Sequence, residues 1–139
     1  MRFEPAPDLE GTVSDLVVTL QLKHIKTNRL RFFRSNGSKS RAIARIWNFP
    51  KIWQAAMGIE AHYIIEVVSE AFDKLEKEEK EKVLLHELLH IPKNFSGALL
   101  SHSRVQFDGS GGLKKQKIDS RTVEVLYKQY RELKKSSKL

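Results

Sequence analysis

His86, Glu87 and His90 stand in the run His-Glu-Leu-Leu-His. On a helix, residues 86 and 90 project from one face, because positions i and i+4 stack. Two imidazoles at that spacing can reach one zinc ion. Glu87, beside the pair, is placed to take a proton from a water that the metal activates. Chance is a poor source of the pattern: at this chain's His and Glu content, about 0.015 random matches are expected. The setting points the same way. Val83, Leu84, Leu85, Leu88, Leu89 and Ile91 surround the three polar residues. A helix apolar nearly all round is a buried one, and polar groups buried there need partners. A metal supplies them. The bland alternative, a core helix with hydrogen-bonded histidines, has to produce the spacing, the carboxylate and the apolar setting by coincidence.

A catalytic zinc usually has three protein ligands and one open position. One known arrangement places a third His six residues after the motif, with a glycine between and a methionine turn downstream. Here those positions hold Ser96 and Lys93, and no Met follows Met57. A distant helical Glu is another solution, but Glu124 and Glu132 are the only later glutamates. Glu124 faces away from Leu126 and Tyr130 on the helical wheel. His102 is the only His after the motif, twelve residues beyond His90. A segment of that length turns back over a helix end easily, so His102 is favoured as third ligand. The other two histidines, His24 and His62, precede the motif, and His62 suits a structural or cleft-lining place.

With one Zn2+ per chain in such a site, the chemistry is peptide hydrolysis by a zinc-activated water, with Glu87 as general base. The substrate is a protein or peptide. A further donor should stabilise the oxyanion. Candidates are Arg104, Tyr127 and Tyr130, and for each tyrosine core packing is the competing role.

These residues need elements to position them. Leu9, Val13, Leu16, Val17, Leu20 and His24 form a helical stripe, which predicts a backing helix over about 12–25. Strand-like alternation at Val18, Leu20 and Leu22 competes with it. Before that helix, Pro5 and Pro7 suggest an extended lead-in. Arg29 to Arg34 reads as a strand, Asn36-Gly37 as a hairpin turn, and Arg41 to Trp47 as the returning strand. Ile52 to Met57 suggests a short helix closed by Gly58. His62 to Val68 is β-branched and aromatic, a strand. It leads into the motif helix, which makes it the expected edge for an extended substrate to pair with. Residues 69–75 read as a connector. The motif helix is predicted over 77–91, stopped by Pro92. From Lys93 to Ile118 no periodicity is clear, and the glycine run 108–112 is expected to be mobile. Asp119 or Ser120 then caps a final helix striped by Val123, Leu126, Tyr127, Tyr130 and Leu133. The pattern is α+β: a small, mainly antiparallel sheet against a backing helix and the motif helix, with a C-terminal helix. Residues 1–134 form one domain and 135–139 a frayed basic tail.

Composition sets the limits. The chain has 139 residues, 40% hydrophobic and 30% charged, with no cysteine. That excludes disulfides, a thiolate zinc site and a cysteine nucleophile. No apolar run approaches transmembrane length, and no signal-like segment opens the chain, so a cytoplasmic protein without a membrane partner is expected. The net charge is +8, unevenly spread. Leu16 to Ile59 holds nine basic residues and no acid, whereas Glu60 to Glu87 holds nine acids and four lysines.

Several stretches resemble a small family of archaeal and phage proteins predicted to be metallopeptidases. They are Tyr63-Ile64-Ile65-Glu66-Val67, Phe72-Asp73-Lys74-Leu75, Leu85 to Pro92, and Phe95 to His102. The resemblance is strong over about 42–102 and weaker in the final helix. It implies a zincin-like fold, with His86, His90 and His102 as ligands and Glu87 as catalytic base. The family commonly has Pro where this chain has Ser101, which leaves the ligand in place.

The basic segment 23–51 carries a second functional reading, a nucleic-acid-associated protein. Arg29, Arg31, Arg34, Arg41 and Arg45 would neutralise phosphates while Phe32, Phe33, Trp47, Phe49 and Trp53 stack on bases. Against it stands a basic hairpin whose aromatics are core. The two functions can combine in a protease of DNA-linked proteins. SprT-like zinc proteases act in that way, and the chain shares their motif and basic charge.

Overall fold

In the computed structural model, which describes residues 1–107 and 113–137 (backbone only over 103–107 and 113–117), the first helix, α1, spans Asp8–Thr19. The predicted stripe is there, with Leu9, Val13, Leu16 and Val17 buried, but the helix lies earlier than 12–25. It starts directly after Pro7, where a fixed φ suits a helix entry. It ends in a Schellman-type turn. Gln21 N–H donates to Val18 O at 3.2 Å and Leu22 N–H to Val17 O at 2.9 Å. Gln21 takes the left-handed conformation, φ 53°, that usually falls to glycine.

The residues before α1 are a strand rather than a lead-in. β1, Arg2–Pro5, pairs antiparallel with β2, Leu30–Asn36. Pro5 fits because β1 is an edge strand. β3 covers Ala44–Trp47 and β4 covers Tyr63–Val68. The strand order is β1-β2-β4-β3, so the hairpin expected across Asn36-Gly37 does not form. Gly37 does turn the chain, at φ 79°, and its N–H donates to Glu70. β4, however, inserts between β2 and β3, parallel to the first and antiparallel to the second. Burial explains this: five of the six residues of β4 are buried, and a strand that apolar belongs inside a sheet. The sheet is therefore mixed, with a parallel pair at its centre, where a mainly antiparallel one was expected.

α2, Lys51–Met57, closes on Gly58 at φ 65° as predicted. α3 is a single turn, Ser69–Phe72, within the predicted connector. α4, the motif helix, spans Lys77–Leu88. β5, Ser103–Phe107, and β6, Leu113–Lys117, form a separate antiparallel pair in the stretch that showed no periodicity. The expected mobile glycine run lies outside the described residues. α5, Ser120–Ser136, is capped by the Asp119 carboxylate, which accepts the Thr122 N–H at 3.0 Å. Among the described residues the architecture is α+β, a four-stranded mixed sheet and the β5–β6 pair with five α-helices. α4 packs on α1, α5 and β3. Leu84, Leu85 and Leu88 of α4 are fully buried beside Leu16, Ile65, Val67 and Phe72. Each such side chain contributes about 1.5–3 kcal/mol of transfer free energy, which anchors the helix that carries the motif. Among the described residues no helix is long and apolar enough to cross a membrane.

Candidate metal centre

α4 ends by tightening. His90 N–H donates to Glu87 O at 3.2 Å and Ile91 N–H to Leu88 O at 3.1 Å, the i→i−3 bonds of a 3₁₀ turn. His86 therefore sits in the last turn of α4 and His90 in the turn after it, still on the same side. Pro92 carries the chain away.

The chain then returns to His90. The His90 ring donates from Nδ1 to the Leu100 carbonyl at 2.6 Å, and Leu100 N–H donates to the His90 carbonyl at 2.8 Å. A carbonyl can only accept, so Nδ1 carries a proton, and in the neutral ring Nε2 keeps its lone pair. That is the tautomer a metal ligand needs. Two residues later, His102 reaches His86: their Nε2 atoms lie 3.3 Å apart. The ring centroids are 4.7–5.3 Å apart around the triangle. Each histidine offers one nitrogen, and the three lie within 4.8 Å of one another. Tetrahedral zinc with imidazole bonds of about 2.0–2.1 Å separates its ligand nitrogens by about 3.3–3.4 Å, the His86–His102 distance. The donor chemistry and the spacing thus fit a metal ion.

Electrostatics agree with that fit. Burial lowers the His86 pKa, reinforced by the charges of His90 and His102 and opposed by Asp119. A neutral imidazole is the form that coordinates. Glu87 is buried, and burial raises its carboxyl to about 7, against a lowering by His102. No side chain among the described residues hydrogen-bonds it. A buried carboxyl raised toward neutrality, with no side-chain hydrogen bond from the described residues, suits proton transfer. His86 and Glu87 open onto a cleft of about 460 Å³, lined also by Arg41, Ile43 and Ala44 and by Ser120, Val123 and Glu124 of α5.

The family model described as "Putative phage metallopeptidase" matches residues 1–134. The chain belongs to this family. Neither the curated proteins nor the solved structures contain a match to it. A metallopeptidase family implies a metal ion, and the three histidines are where this chain could hold one.

Other expected site residues fall elsewhere in this chain. β4 was the expected substrate-pairing edge, but β2 and β3 occupy both its sides. The edge beside the cleft is β3, whose Ala44 lines it. Tyr127 and Tyr130 point their hydroxyls into the helix packing. Tyr127 Oη donates to Glu81 Oε1 at 3.0 Å, and Tyr130 Oη lies 2.5 Å from Asp15 Oδ2 and 3.3 Å from Glu81 Oε2. Arg104 has its backbone in β5, and its side chain lies outside the described residues. Glu124, set aside as a ligand, pairs with Lys82 at 2.9 Å.

The basic segment is largely used internally, so a nucleic-acid partner gains no support. Arg29 pairs with Glu60. Arg31 donates to the Asn28 and Leu30 carbonyls. Arg34 grips Asp8 and Asp73 with bidentate geometry. Arg45 approaches the buried Glu66 at 3.3 Å, and Glu66 also accepts the Trp47 indole N–H at 2.9 Å. Arg41 alone of the five faces the cleft. Phe32 is core, while Trp47 and Trp53 are exposed. The early histidines stand outside the cluster. His24 is half-buried near the Ile91 backbone, and His62 Nδ1 donates to the Glu60 carbonyl at 2.7 Å. What sequence could not reveal is the Leu100 carbonyl, because a backbone acceptor has no residue signature.

Proposed function

We propose that this chain is a zinc-dependent peptidase in which His86, His90 and His102 hold the metal and Glu87 is the general base. One observation carries the proposal: three imidazoles converge beside a buried carboxyl, and His86 and that carboxyl line an open cleft. Zinc bound there would supply Lewis acidity, polarising the scissile carbonyl and making water a nucleophile at neutral pH. Glu87 takes one proton from the attacking water as its oxygen bonds to the carbonyl carbon. The same carboxyl then delivers that proton to the nitrogen as the C–N bond breaks. The Leu100 carbonyl keeps His90 in its coordinating tautomer throughout. An extended peptide chain is placed by backbone pairing along the free edge of β3. Arg41 stands at the cleft wall near the start of that edge.

Metal content and peptidase activity of three proteins test the proposal. Wild type should carry close to one zinc per chain and cleave an unfolded protein substrate. His102→Ala should lose the zinc. Glu87→Gln should keep the zinc and lose activity by about 10²–10⁴-fold. Full zinc content in His102→Ala, or full activity in Glu87→Gln, would refute the assignment.

A further inference from the structure

Of the three imidazoles, His102 alone is exposed, and it is carried by the loop that follows the motif. Whatever fixes that loop fixes the centre. Three consecutive loop residues are tied down. Gln54 of α2 donates through Nε2 to the Phe49 carbonyl at 2.9 Å and the Ser96 carbonyl at 2.8 Å. Gly97 N–H donates to the Tyr63 hydroxyl at 2.8 Å, and that hydroxyl donates to the Ala98 carbonyl at 2.8 Å. Phe49 N–H donates to the Gly97 carbonyl at 2.7 Å. The Tyr63 hydroxyl thus spends its one proton and a lone pair on neighbouring residues of the same loop.

The approach is close. Gly97 has φ 95°, and a Cβ there would lie 2.1 Å from the Phe49 carbonyl oxygen. Phe95 takes φ 47°, a left-handed conformation that a bulky residue keeps only where its surroundings impose it. Its ring is buried edge-on to the Tyr63 ring, with centroids 4.9 Å apart. Downstream of this clamp come the two Leu100–His90 bonds and then His102. The His102 carbonyl accepts the Ile118 N–H at 2.7 Å. The same loop therefore sets the tautomer of one ligand and the position of another.

We infer that Tyr63 and Gln54 are positioning residues of the metal centre, holding the 96–98 backbone so that Leu100 meets His90 and His102 meets His86. The inference rests on the metal reading proposed above. Neither side chain is placed to touch the reacting atoms. They act through the loop.

Tyr63→Phe keeps the ring against Phe95 and removes only the hydroxyl. Gln54→Met keeps the length and removes the donors. In the full-length protein each should weaken zinc binding by about tenfold or more, read by competition with a chromophoric chelator. In the metal-free protein, amide exchange should quicken at Gly97 and Leu100 while Ile65 and Leu85 stay protected. A merely structural role gives the opposite pattern: protection falls throughout, and the zinc affinity of the folded protein is unchanged. Unchanged affinity in both variants overturns the inference. If Tyr63→Phe fails to fold, Gln54→Met decides, because Gln54 is only half-buried. A wild-type chain that binds no zinc refutes the metal reading instead. Exchange at Gly97 and Leu100 in the variants then still decides whether these residues hold the loop.

Discussion

Tyr127→Phe removes one hydroxyl, and two roles for that hydroxyl predict different results. In the structure it donates to Glu81 at 3.0 Å, and both residues are buried between α4 and α5. A hydrogen bond to a charged acceptor contributes about 1.5–3 kcal/mol. Its loss should lower unfolding free energy by about 2 kcal/mol, read from the urea midpoint at neutral pH. An oxyanion donor behaves otherwise: its loss costs about 10²–10³ in kcat and little stability. The expected result is a lower midpoint with kcat unchanged within about twofold. A hundredfold fall in kcat at an unchanged midpoint would refute the structural placement. Tyr130→Phe should cost at least as much, since its hydroxyl lies against both Asp15 and Glu81. Alkaline pH supplies a second arm. Burial, with Glu81 and, for Tyr130, Asp15 adding to it, raises both phenols above their ordinary value. Below about pH 10 both folded and unfolded chains keep the protons, and the contribution is whole. Above it the unfolded chain releases them first, so stability falls with rising pH. The Phe variants should lose less stability than wild type as pH rises above about 10.

Removing metal with a chelator should abolish peptidase activity and lower the melting temperature, and added zinc should restore both. At a hundredfold excess over Kd a ligand of the folded state stabilises by about 2.7 kcal/mol, so an unchanged melting temperature would count against a bound ion. Arg34→Met unties β2 from Asp8 and Asp73. Both carboxylates are partly exposed, so the loss should be about 1 kcal/mol by urea titration. The Arg34 hydrogen bond holds the Asp8 carboxyl below its usual range. Its contribution is present above about pH 4 and disappears as pH falls through the folded value, so the gap between wild type and Arg34→Met should narrow on acidification.

The parts legible in sequence were those written in side chains at fixed spacing. The motif helix, the Asp119 cap and the α1 stripe each follow from a local rule. Where sequence misled, the deciding contact was non-local or made by backbone. The end of α1 was hidden because Gln21, not a glycine, takes the left-handed turn position. Asn36-Gly37 signalled a turn correctly, but a turn does not name its partner strand, and the apolar β4 displaced β3 from β2. The arginines of the basic segment looked free because their acidic partners are distant in sequence. Asp8 and Asp73 lie 26 and 39 residues from Arg34.

That strand order also bears on how the cleft works. Had β2 and β3 paired as a hairpin, β4 could have stood at the edge, and a substrate would have paired with the strand that leads into α3 and α4. With β4 enclosed, its Tyr63 can turn inward and hold the loop that brings His102 to the helix. The free edge passes to β3, which packs against α4 and helps to wall the cleft containing His86 and Glu87. The strand order thus moves to β3 the edge that the sequence assigned to β4. β4 supports the 96–98 loop from inside through Tyr63, and under the proposed function β3 would offer its outer edge to a peptide. Disrupting β3 pairing, for example by Ile46→Pro, should therefore impair peptide cleavage while leaving zinc affinity within about threefold of wild type. Equal loss of both would mean that the edge and the ligand loop are not separable.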